Sequence, residues 1–190
     1  MRHDARPAAR LTVIAASSGV GVMSVIELIR ARSPLLWLSV PLTTRPRRPS
    51  EPEGAQRHFV DRAEFERLRA AGRLLEWTEI GGHLYGTSRT AVQARLRAGR
   101  PVLLRTDPAG ARQVRTAMPQ ARLVRLAGPA ERVAPDGHDP HGGCDAVVVN
   151  HLAEVAAGEL IDFVGCSFPV PAEYPVPAEP ETTGRPPAAG

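Results

Sequence analysis

Eight residues near the start of the chain restrict its fold more than any other feature. Ala16-Ser17-Ser18-Gly19-Val20-Gly21-Val22-Met23 separates an apolar run, Leu11-Thr12-Val13-Ile14-Ala15, from a helical pattern, Val25-Ile26-Glu27-Leu28-Ile29-Arg30. Strand, glycine turn and helix in that order form the frame of a phosphate-binding loop, G-x-x-x-x-G-K-[S/T]. The frame is present, but the groups that grip a nucleoside triphosphate are replaced. Ala16 stands at the first glycine, Val22 at the lysine and Met23 at the Mg²⁺-ligating hydroxyl. Ser18, Gly19 and Gly21 remain as a phosphate-loop remnant, whose backbone amides and helix start still suit an anion. The short apolar run meets a turn and a charged helix at once, so it reads as a buried first strand rather than a signal peptide.

The rest of the chain repeats the alternation. Strands are expected at 35–40, 74–78, 83–85, 101–106, 121–127 and 145–150. Helices are expected to about Ala31, then at 61–71, 88–98, 109–117 and 152–164, with Asp61 and Glu64 as a capping box and Gly99 as a stop. Strands alternating with helices predict an α/β fold, a parallel sheet with helices on both faces. The short strands after Thr43 predict a small antiparallel subdomain at about 41–87. Residues 1–10 read as a flexible basic arm, and 11–165 as the folded domain. Residues 166–190 hold seven of the 19 prolines and repeat Pro-Val-Pro-Ala-Glu, which predicts an extended or disordered tail that offers a site for a protein partner.

Composition narrows the classes further. At 190 residues the chain suffices for one domain with a substantial core. Its net charge of +4 is modest and its arginines are scattered, so no nucleic acid is expected as a partner. No apolar run approaches a membrane span. Two cysteines cannot build a disulfide framework, and a reducing cytoplasm is the expected setting. All the basic charge of Lys and Arg is Arg, a planar fork suited to phosphate. His138, His141 and Cys144, with Asp136 and Asp139, have metal-ligand types at plausible spacing, but a Gly/Pro-rich loop gathers such residues by chance and no metal is expected.

Several motifs occur in a fixed order: Thr43-Thr44-Arg45-Pro46-Arg47-Arg48-Pro49, His58-Phe59-Val60, Leu75-Glu76-Trp77, Tyr85-Gly86-Thr87, Arg100-Pro101-Val102-Leu103-Leu104 and Gly110-Ala111-Arg112-Gln113-Val114. With them the chain resembles the guanylate kinases from about Leu11 to Val164, across one deletion. Members of that family pass the terminal phosphate of ATP to GMP, on a nucleoside-monophosphate-kinase-like core sheet with a GMP-binding subdomain and a lid.

The resemblance implies roles residue by residue. Arg45 and Arg48 would clamp the phosphate of a monophosphate, through strong charge-assisted bonds. Glu76 would accept from the guanine N1–H and amino group, Tyr85 would bond the phosphate, Thr87 the base, and Asp107 would lie near the base or transfer site. Two positions depart from the family: Pro41 replaces a base-contacting Ser, and Arg57 a phosphate-contacting Tyr. On the ATP side Val22 and Met23 replace ligating groups, and Arg105 stands where the family has an acidic residue beside the metal. The lid is truncated to residues 130–144, in which Arg132 is the only arginine. Binding of Mg²⁺ and ATP is therefore not expected, and no cofactor is expected. The implied function is a guanylate-kinase-like pseudoenzyme that holds GMP or another purine phosphate for sensing or regulation. A module that uses the former GMP site for a phosphorylated or acidic protein partner, and a divergent active kinase, are the alternatives.

Overall fold

The structure is a computed structural model that describes residues 10–17, 19–52, 54–131 and 143–165. The expected basic arm, Ser18, His138, His141 and the proline-rich tail lie outside the described residues.

Two sheets organise the chain. The core sheet is parallel and five-stranded, in the order β2-β7-β1-β8-β9. Its strands are β1 (Leu11–Ala16), β2 (Trp37–Leu38), β7 (Val102–Thr106), β8 (Arg122–Ala127) and β9 (Ala146–Val149). The second sheet, in the order β4-β3-β6-β5, is built from β3 (Leu42–Thr43), β4 (His58–Phe59), β5 (Leu74–Ile80) and β6 (His83–Ser88). The helices are α1 (Val22–Arg32), α2 (Arg62–Ala70), α3 (Arg89–Arg97), α4 (Pro108–Ala117) and α5 (Ala153–Val164).

Period-two alternation sorts the core strands onto two faces. On one face Ile14 and Leu103 join Val25, Ile26 and Ile29 of α1 and Ala156, Ala157 and Leu160 of α5. On the other, Leu11, Val13, Ala15, Val102 and Leu104 join Val92 of α3 and Ala111 and Val114 of α4. A sheet covered on both faces needs apolar residues at successive positions, which is why the strands read as near-continuous apolar runs. Phe65 of α2, Leu74 and Leu84 form a separate small core under the second sheet.

Local signals set most helix starts. Asp61 Oδ1 accepts from Glu64 N–H at 2.7 Å, Ser88 Oγ from Ala91 N–H at 3.2 Å and Asp107 Oδ1 from Gly110 N–H at 2.7 Å. Each satisfies a donor that the first helical turn leaves open.

Two expectations are corrected. The strand foreseen at 35–40 contracts to Trp37–Leu38, the two residues in register with β7; the Ser39 N–H still donates to the Leu103 carbonyl at 2.9 Å, and Leu35 is exposed. The second sheet is mixed rather than antiparallel: β3 pairs antiparallel with β6 but parallel with β4. Two-residue strands carry too little pattern to reveal their pairing direction. Among the described residues, no helix is long and apolar enough to cross a membrane.

Candidate functional site

A cleft of about 770 Å³ lies between the C-terminal ends of β1 and β7 and the second sheet. This is where open parallel sheets place ligands, at the edge from which neighbouring connections diverge. One wall is the phosphate-loop remnant, with Ser17, Gly19, Gly21, Val22, Met23 and Ser24. The facing wall holds Arg57, Glu76 and Tyr85, and the end of β7 supplies Arg105, Thr106 and Asp107.

Alternation along β7 explains the last three. Leu103 faces α1 and α5, so Arg105, two residues on, emerges on that same side beside the loop. Thr106 faces the opposite way, toward β5. Its hydroxyl donates to Glu76 Oε2 at 2.9 Å.

Glu76 is the most constrained polar group of the site. It is 4% exposed and sits opposite Thr87 in the β5–β6 register. Burial pushes its carboxyl above the ordinary value, and hydrogen bonds from Thr87 and Thr106 pull part of that shift back. Beside it, the Gln113 side chain of α4 pairs with β5 as a strand would. Its Nε2 donates to the Trp77 carbonyl at 2.9 Å and its Oε1 accepts from Trp77 N–H at 3.1 Å. The edge of β5 is thereby closed, and the backbone next to Glu76 is anchored to the core domain.

Gly110 allows this packing. A Cβ there would overlap Thr106 Oγ1 and stand 2.8 Å from Glu76 Oε2. On the opposite wall, the Asn150 amide beyond β9 donates to the Val20 carbonyl at 2.8 Å. Gly21, at φ 72, caps α1, and a Cβ at that position would meet the same amide at 2.8 Å.

The cations divide into two groups. Arg45 is bonded by both carboxylate oxygens of Glu51 at 2.7 Å. Its Nη1 also donates to the Pro46 carbonyl at 2.8 Å, and its guanidinium lies over the Phe59 ring. Arg48 is exposed, and its backbone N–H donates to Glu51 Oε2 at 3.1 Å. Neither Arg45 nor Arg48 is among the residues that line this cleft. Glu51 ties the Arg45 guanidinium and the Arg48 backbone together on the loop between β3 and β4, and Arg45 also interacts with Tyr85. Arg57 and Arg105 are the guanidinium side chains of the cleft lining.

The structure therefore brings together Arg57, Glu76, Tyr85, Asp107, Arg105, Val22, Met23, Gly19 and Gly21. Thr87 lies under Glu76, fully buried. Cys144 packs against the core instead of facing the cleft, and no group of three or more His, Cys, Asp and Glu among the described residues is placed to hold a metal. Thr106, Glu51 and Asn150 are neighbours of the site that lie outside the sequence motifs, and Gln113 lies in the motif at 110–114 without a role implied for it. Two of them had a signal: Thr106 and Asn150 both sit at the C-terminal ends of buried parallel strands, where sites collect. Glu51 had none, and the motif gave Gln113 no role, since their partners are met only through the folded loop and the helix-to-sheet contact.

Residues 8–139 match the family profile described as guanylate kinase. The guanylate kinase of Thermobifida fusca is 55% identical over 121 residues, 64% of this chain and 62% of that protein. That of Streptomyces coelicolor is 54% identical over 127 residues, 67% of this chain and 64% of that protein. The match thus spans less than two thirds of the length of these two relatives. The guanylate kinase of Bordetella pertussis is 36% identical over 183 residues, 85% of each chain. A crystal structure of guanylate kinase from Anaplasma phagocytophilum shares the fold, with a TM-score of 0.67 and 24% identity over 84% of this chain and 86% of that one.

Proposed function

This chain belongs to the guanylate kinase family, and we propose that it holds a purine nucleotide, guanine by preference, without passing phosphate to it. One observation carries this reading: the two walls of a single cleft have opposite chemistry. The acceptor wall presents a buried carboxylate oriented by two hydroxyls, a tyrosine and an arginine. The donor wall presents Val22 and Met23 where phosphate and metal ligands are needed.

Glu76 suits guanine because a carboxylate accepts from two adjacent N–H donors, an edge that adenine lacks. Holding it buried costs solvation, and an incoming donor pair offsets that cost. The residues present do not fit the Mg²⁺–ATP that the family resemblance implies. The side chains of Val22 and Met23 carry no oxygen or nitrogen, and Arg105 sets positive charge in the same cleft. Phosphoryl transfer depends on positioning and on charge stabilisation by Lys, Arg and Mg²⁺. Loss of one such donor commonly costs roughly 10²–10³ in rate. Several losses do not simply multiply, yet together they remove the main sources of acceleration. The name guanylate kinase belongs to the relatives; the ligand is what this chain is proposed to share with them.

Calorimetric titration with GMP, AMP and Mg²⁺–ATP, alongside a coupled turnover assay, tests the proposal. GMP should bind, Mg²⁺–ATP should not, and turnover should stay far below the ~1–100 s⁻¹ of working kinases. Binding of ATP without GMP, or turnover in that range, would overturn it.

A further inference from the structure

We infer that the cleft takes a purine nucleotide carrying at least two linked phosphates and holds them with Arg57 and Arg105 in place of a divalent cation. The inference rests on the nucleotide-binding reading above and specifies its ligand.

The two arginines come from different sheets. Arg57 immediately precedes β4, Arg105 lies near the end of β7, and both line the same cleft. Neither charge is well matched. Glu51 is committed to Arg45 at 2.7 Å and stands 3.7 Å from Arg57. The Nε of Arg57 is buried with no hydrogen-bond partner. The Arg105 side chain has no hydrogen bond or ion pair among the described residues; desolvation within the cleft, then the charge of Arg57, lower its pKa, and the charge of Glu76 offsets part of that. Arginine stays protonated through such a shift. The mutual repulsion is therefore a standing cost, and an anion between the two guanidiniums removes it.

The wall carboxylates serve that purpose only in part: Glu76 attracts Arg105 but makes no ion pair with it. Glu76 is buried and bonded by the Thr87 and Thr106 hydroxyls, and Asp107 caps α4 through Gly110. A nucleotide whose base meets Glu76 runs its phosphates past Arg57 toward Arg105 and the glycine turn, all part of one cleft of about 770 Å³. A single phosphate near Arg57 leaves Arg105 unopposed; a second, linked phosphate meets it. Guanidinium binds phosphate oxygens through a planar fork. Two such groups supply the charge that a metal supplies to a diphosphate elsewhere, and they repel a metal that approaches.

Calorimetry on the full chain, in EDTA and in Mg²⁺, with guanosine mono- and diphosphate as probes, tests this. The diphosphate should bind at least about tenfold more tightly than the monophosphate in EDTA, as one added charge-assisted contact predicts. Added Mg²⁺ should not improve it. Arg105→Met should abolish the preference, and Arg105→Lys should restore part of it, with thermal melting to confirm that both variants fold. Inorganic pyrophosphate, which offers nothing to Glu76, should bind more weakly than the nucleotide. If the monophosphate binds and the diphosphate binds no better, or binds better only with Mg²⁺, this inference fails while nucleotide binding stands. Pyrophosphate binding as tightly as the nucleotide overturns the purine part of the inference. If neither nucleotide binds, both proposals fall.

Discussion

The Thr106 hydroxyl donates to the Glu76 carboxylate at 2.9 Å, across 30 positions of sequence and from the core sheet to the second sheet. The bond joins the end of β7, where the phosphate end of the cleft begins, to the group proposed to read the base. With Gln113 on Trp77, it holds the two sheets in a single relative position at the cleft.

Thr106→Val keeps the shape and removes that donor. Glu76 then retains the Thr87 hydroxyl but loses one partner while still buried, so unfolding stability should fall by about 1–3 kcal/mol. Gly110→Ala should do at least as much damage, because its new methyl overlaps Thr106 Oγ1 and reaches Glu76. Overpacking of this kind typically costs about 1–3 kcal/mol. Urea denaturation of both variants measures these losses, and a Gly110→Ala protein as stable as the parent would show that the contact relaxes freely.

Glu76→Gln should weaken GMP binding by about ten- to a hundredfold, since each of two bonds to a charged acceptor contributes roughly 1.5–3 kcal/mol against about 0.5–1.5 kcal/mol for a neutral one. Its effect on stability has the opposite sign and depends on pH. Burial raises the carboxyl pKa of Glu76 in the folded state above that of the unfolded chain. The protonated form is thus favoured by folding. Its contribution is complete below the unfolded carboxylate range and is lost as pH rises through the raised folded value. The glutamine variant has no such loss, so its melting temperature should gain on the parent as pH rises above the ordinary carboxylate range of about 4. Glu51, which Arg45 holds below the ordinary carboxylate range, works in the other direction, but it is common to both proteins and cancels in the comparison. Parallel melting curves across that rise would refute the assignment.

Gly21→Ala and Asn150→Ala should be coupled. The first places a methyl 2.8 Å from the Asn150 amide and adds strain at φ 72, and the second frees the Val20 carbonyl. Either alone should cost on the order of 1 kcal/mol or more. Together they should cost less than the sum, by about 0.5 kcal/mol or more, because removing the amide makes room for the methyl. A double-mutant cycle by chemical denaturation reads the difference, and strict additivity would mean the loop and the end of β9 move independently.

Reverting the donor wall with Val22→Lys, Met23→Ser and Arg105→Asp together should leave GMP phosphorylation below the ~1–100 s⁻¹ range. The same change should remove the metal-independent hold on a diphosphate, since Arg105 is gone. A coupled assay that reached ordinary kinase rates would show that the truncated segment at 130–144 matters less than its missing arginines imply.

The alternation of apolar strands and capped helices was legible because local signals are strong there. Asp61, Ser88 and Asp107 cap helices through atoms three residues away, so the sequence neighbourhood contains both partners. The strands β3 and β4 were not legible. Each has two residues; β3 is met by β6 from about 40 positions further on, and β4 pairs with β3 alone. Among the site residues, Glu76 and Arg57 were recognisable from their motifs and do face the cleft. Arg45 and Arg48 were recognisable too, but the hold of Glu51 on the Arg45 guanidinium and the Arg48 backbone is a contact that no spacing rule foretells.

What the amino-acid order determined by itself was the chemistry available at each point: a glycine turn between strand and helix, apolar groups at positions 22 and 23, arginines at 57 and 105, and a carboxylate at 76. Only the tertiary structure decided which of these act on one another. Strand alternation and the meeting of two sheets put Arg105 opposite Arg57 and Thr106 against Glu76, across 30 positions in the latter case. Electrostatic and hydrogen-bond energies fall off within a few ångströms, so the charge and donor pattern of the cleft exists only once the fold has brought these distant residues together.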